Sequence, residues 1–193
     1  MSDDPPATPT TPPHRLVAGS AAIDDLDAFL SSLDDIAAET GAVVQAFDAN
    51  LIVSAAHLRE ATRLAARAIA RGEAVARDPG VEIMLYAAGS RQIDRAFALG
   101  VEEGEQRTVV LVADFGAVPS ADRLDADLDA AAASVGDLLA PPVGSADAEA
   151  FEPVFDAERV REFYEIGDRE IAATAGDLAD IVRERVALLD VEK

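Results

Sequence analysis

Four arginines, Arg59, Arg63, Arg67 and Arg71, stand four residues apart in the stretch HLREATRLAARAIARG, residues 57–72. The guanidinium group is planar and permanently charged, bonds phosphate in two places and stacks on bases. Four residues advance a helix by about 400°, so successive arginines drift by only about 40° and share one ridge about 120° wide. Leu58, Ala65, Ala68 and Ile69 fall mostly off that ridge and can pack on the body of the protein. Glu60 and Glu73 are the only acids between residues 54 and 77, so the partners expected at i±4 are mostly missing. Two readings follow. The ridge is an anion-facing surface, with phosphate the obvious anion, or it is a solvated face neutralised by acids from elsewhere in the fold.

A second basic stretch is GSRQIDRAFALG, residues 89–100. Arg91 and Arg95 share a face at i,i+4, and Gln92 lies beside them near an expected helix start, where free N–H groups favour anions. His57 could stack on a base or a phosphate, or serve as a satisfied structural histidine. Near the C-terminus, Leu178, Ile181, Val182, Val186 and Leu189 form an apolar stripe that Leu188 widens. Such a stripe can belong to a helix docked on its own domain, or can present an edge to a partner.

The background makes the arginines informative. The 193 residues carry 37 acids against 16 bases, a net charge of −21, and Lys193 is the only lysine. Residues 51–100 hold seven arginines and five acids, a net of +2, so the remainder stands at −23. A charge this far from neutral keeps a chain soluble but repels itself, and molar salt screens that repulsion within about 3 Å. The composition therefore fits the cytoplasm of a halophilic microbe that keeps molar salt inside. Half the residues are apolar, enough for a sizeable core and too many for a disordered chain.

Other function classes find little support. There are no cysteines, so disulfides and cysteine chemistry are excluded, and two histidines make a histidine-rich zinc site implausible. No metal or cofactor site is expected. No phosphate loop of the Walker type, G-x-S-x-G elbow or HExxH motif occurs, and no catalytic residue is nominated. Paired acids carry no information in so acidic a chain. No apolar run approaches the ~20 residues of a membrane span, and the polar, proline-rich start MSDDPPATPTTPP is not a signal peptide.

The elements that would position these residues can be read from periodicity and caps. Residues 1–14 read as a disordered proline-rich tail and 15–193 as one domain. RLVAG (15–19), AVVQAF (42–47) and RTVVLVAD (107–114) read as strands. Helices are expected over 24–40, from a Ser54 cap to about Arg71, from Ser90 to Leu99, over 120–139, near 156–165 and from about 176 to 190. VEIMLYAA, 81–88, fits a strand or a buried helix equally, and 141–150 reads as a loop. The fold class is α/β: a single-domain mixed β-sheet packed with α-helices.

From Arg15 onward, the order FDANLIVSAAHLREATRLA, VEIMLYAAGSRQIDRAFALGV, RTVVLVAD, RVREFYEI and IVRERVALLDV resembles the small kinase-binding subunit of the KEOPS/EKC complex, the TPRKB-like family. The most specific part is the Gly-x-Arg-Gln-Ile run at Gly89, Arg91, Gln92 and Ile93. The resemblance implies a non-catalytic protein without cofactor, small-molecule substrate or membrane. It would bind a kinase-like subunit through its C-terminal helices, with Leu178, Ile181, Val182, Val186 and Leu189 as candidates. It would also bind the tRNA 3′ CCA end in the complex that installs threonylcarbamoyladenosine. The charge pattern assigns tRNA contact to His57, Arg59, Arg63, Arg67, Arg71, Arg91, Gln92 and Arg95. The low lysine content and the acidic stretch 117–150 depart from the family.

Overall fold

A computed structural model describes residues 10–140 and 154–191. The loop expected at 141–150 and most of the expected N-terminal tail lie outside them. Within the tail reading, Pro13 already accepts a hydrogen bond from the Asp114 N–H, and strand β1 (His14–Ile23) starts at the tail's last residue.

Strand β3 (Gly104–Ala113) is the centre of the molecule. Its run Thr108–Ala113 is buried on both faces, which is why it reads as a continuous apolar stretch. β1 and β2 (Val43–Asp48) flank it, both antiparallel to it, in the order β1-β3-β2. β1 and β2 therefore run in the same direction with β3 inserted between them. Helix α1 (Leu26–Thr40) makes the crossover connecting them, capped by Asp25 and ended by Gly41 at φ 74°. β1 is twice the length expected, because SAAI continues to pair with residues 104–107.

Alternate residues of β3 feed two cores. Val110 and Val112 meet α1 and α5 (Leu128–Leu138) on one face. Val109, Leu111 and Ala113 meet the other layer, built from α2 (Ala55–Ala70), α3 (Pro79–Ala87), α4 (Ile93–Phe97), α6 (Ala157–Phe163), α7 (Asp168–Ala173) and α8 (Leu178–Leu189). The result is one mixed α/β domain.

The ambiguous stretch 81–88 is helical. Asp78 caps it, Pro79 fits its first turn, and apolar residues surround it because α2, α4 and β2 enclose it. Two expected helices are shorter than their patterns. The first, over 90–99, forms only at 93–97. The second, over 120–139, starts at Leu128, because Ser120 and Asp122 adopt positive φ and Arg123 reaches back to the carbonyls of Gly41 and Ala42. α7 carried no expectation. An acidic chain finds ready caps: Asp25, Asp78, Asp127, Asp156 and Asp177 each accept a backbone N–H at a helix start.

Candidate nucleic-acid and partner interface

α2 forms as its spacing predicts. The Ser54 hydroxyl accepts the His57 N–H, and Leu58, Ala65, Ala68 and Ile69 are buried in the core that α2 shares with α3 and α8. The arginine ridge faces outward. α8 lies against it and runs in the same direction: Arg183 in its second turn acts on the Glu60 carboxylate, whereas Asp190, just past its end, pairs with Arg67. The two helices therefore share one exposed surface.

The arginines on that surface fall into three groups. Around Glu60 stand Arg59, Arg63 and Arg183. Arg63 grips Glu60 through both carboxylate oxygens, at 2.6 and 3.0 Å, and holds its pKa below the usual carboxylate value. At the end of α8, Arg67 Nη1 lies 3.1 Å from Asp190 Oδ2, and Arg91 Nη2 donates to the Leu189 carbonyl at 3.2 Å. The third group lies across the α3–α4 loop. Arg95 pairs with Glu165 at 3.1 Å, donates to the Phe163 carbonyl at 2.6 Å and covers the Phe163 ring. Arg71 is exposed just past the end of α2.

The ridge is thus present, but it is less positive than its sequence. Arg63, Arg67 and Arg95 each have a carboxylate partner. Glu60 was within the ridge's own sequence, three residues before Arg63. Asp190 and Glu165 come from distant segments. Exposed pairs of this kind contribute only about 0–1 kcal/mol, so a phosphate can compete for Arg63 and Arg95 at small cost. Gln92 is exposed at the start of α4 and, with Ser90, Gly89, Arg95 and Arg185, lines an open cleft of about 250 Å³.

His57 is a correction. Its side chain is fully buried and bonded to the Ala87 carbonyl at 2.8 Å, with Tyr164 against it. Burial lowers its pKa to about 4. A neutral, enclosed imidazole touches no RNA; it ties α2 to the end of α3.

The apolar stripe of α8 is a second correction. Ile181, Val182, Val186 and Leu189 are at most 8% exposed, and Leu178 packs partly against the same core. The four buried residues hold the helix to its own domain, and of these five only Leu178 keeps part of its surface exposed. The outward side carries Glu184, Ala187, Leu188 and Val191, with Leu188 45% and Val191 76% exposed. Leu188, which the sequence places at the edge of the stripe, stays exposed. Arg185, which crosses to Glu170 beside the cleft, was also missed.

Among the described residues, no group of three or more histidines and acids could hold a metal ion, and no helix is long and apolar enough to cross a membrane. No curated protein matches the sequence. A family match does exist, and it runs over residues 27–190, from the first turn of α1 to Asp190 after α8, covering both helices of the exposed surface. The chain belongs to the family described as kinase binding protein CGI-121.

Proposed function

We propose that the chain is a non-catalytic subunit of the KEOPS/EKC complex, acting in tRNA threonylcarbamoyladenosine modification. It docks on a kinase-like subunit and holds the tRNA 3′ CCA end. The observation that carries this reading is the kinase-binding family match across nearly the whole domain. The outward side of α8, with Leu188 and Val191, supplies the apolar contact for the kinase-like partner. Arg59, Arg63, Arg67 and Arg71 on α2, with Arg91, Gln92 and Arg95 around the cleft, supply the contact for RNA.

Counterion release weakens phosphate binding steeply as salt rises. In molar salt the arginines must therefore act through geometry as well as charge. Their planes stack on the unpaired bases of a 3′ end, at about 1–3 kcal/mol per stacked base. The acids on α1 and α5, across the sheet, repel the same RNA and leave the α2–α8 side as the approach. Titrating tRNA with and without its 3′ CCA tests the reading: the intact end binds tighter, and equal affinity for both refutes the RNA contact.

A second reading rests on the ion pairs of Arg63, Arg67 and Arg95. On that reading the protein is a purely protein-binding scaffold or regulator of a kinase or ATPase. Replacing Arg59, Arg71 and Arg91 with alanine separates the two, since the scaffold retains full support of RNA modification and the RNA-binding subunit does not.

A further inference from the structure

We infer that Asp190 is an internal counter-ion that holds Arg67 back from RNA in the isolated chain. This rests on the RNA-binding reading above. Asp190 follows the last turn of α8, and its side chain is 9% exposed. One carboxylate oxygen takes Arg67 at 3.1 Å, and the other accepts the Tyr86 hydroxyl at 3.4 Å. Arg91 fastens the neighbouring Leu189 carbonyl. Side chains from α2, α3 and the α3–α4 loop therefore converge on one helix end.

Two further features make this end a latch. Arg67 is not saturated, because its buried Nε has no hydrogen-bond partner among the described residues. A phosphate replacing the carboxylate would take over the Nη1 donor that Asp190 now occupies. Leu188 and Val191, the most exposed apolar residues of this helix end, flank Asp190 in sequence. A partner that grips them bears on the same turn. If it draws Asp190 from Arg67, it frees a cation for RNA, and by linkage RNA strengthens partner binding by the same factor.

The test is a titration of labelled tRNA with the wild type, Asp190→Asn, Arg67→Ala, the double variant and Tyr86→Phe. It runs from about 0.1 to 1 M KCl, with circular dichroism in each buffer. One added contact to a single strand steepens the slope of log affinity against log salt by about 0.7 and raises affinity about 5-fold at 0.1 M. Asp190→Asn shows that gain, and Arg67→Ala abolishes it. Tyr86→Phe loosens the same carboxylate without removing its charge and leaves affinity within about twofold. Asp190→Ser, a second neutral variant, answers for Asp190→Asn should the latter lose its helical signal. The counter-ion role is overturned, with the RNA reading intact, in three cases. The wild type binds tRNA and the neutral variants show no gain; the gain persists without Arg67; or Tyr86→Phe matches it. Absence of tRNA binding by every variant at every salt concentration overturns both.

Discussion

Acidification is expected to destabilise this protein partly through one imidazole. His57 is fully buried; its Nε2–H donates to the Ala87 carbonyl at 2.8 Å, and the Tyr164 hydroxyl donates to the same oxygen at 2.7 Å. Its Nδ1 has no hydrogen-bond partner among the described residues, so a second proton would sit on a buried nitrogen with no acceptor. Burial, the largest cause, lowers the pKa from 6.5 to about 4, with Arg183 adding to the shift and the Ala87 bond opposing it. Because the folded pKa is the lower one, the unfolded chain takes up the proton first. Stability is complete above about pH 6.5 and falls as pH drops towards 4, below which this contribution is flat. Between pH 7 and 5 the loss is about 2 kcal/mol, approaching about 3 kcal/mol at the lower limit. Urea unfolding of the wild type and His57→Gln, at one fixed molar salt concentration across that range, measures it. Glutamine keeps a donor for Ala87 and cannot charge. Carboxylate protonation affects both proteins, so the difference between the curves isolates His57. Parallel curves would refute the burial argument.

Four further outcomes follow from the packing and the charge placement. Leu188→Glu, at an exposed position of α8, abolishes binding of the kinase-like partner while thermal stability stays within about 0.5 kcal/mol. Ile181→Glu, at a site 2% exposed, instead loses several kcal/mol and shows as unfolding in a calorimeter. Gly89→Ala costs about 1–2 kcal/mol in a denaturant titration, because Gly89 has φ +59° and its new Cβ would lie 3.2 Å from the Arg185 Cβ. Arg71→Ala weakens tRNA binding about 5-fold at 0.1 M salt and lowers the salt slope by about 0.7, leaving the melting curve unchanged.

Local chemistry by itself determined most of the elements. The Ser54 cap and the apolar spacing of α1 and α2 act within a few residues, so the chain declares them directly. The buried run of β3 was equally plain, because a strand covered on both faces needs apolar residues at every position. The outward direction of the arginine ridge followed from helical periodicity alone. The helical state of 81–88 did not, since enclosure on all sides erases the periodicity that tells helix from strand.

Only the tertiary structure decided what each charged or polar group meets. Asp190 reaches Arg67, and Glu165 reaches Arg95, because α8 and the end of α6 come to lie beside distant segments. His57 looked like a contact on a basic helix, but Tyr164 and Ala87 enclose it. The stripe of α8 looked like an open edge, but the helix layer on β3 covers it and turns Leu188 and Val191 outward. Periodicity states which residues share a face of a helix; what covers that face, and which counter-ion reaches it, depends on the packing of segments far apart in the chain.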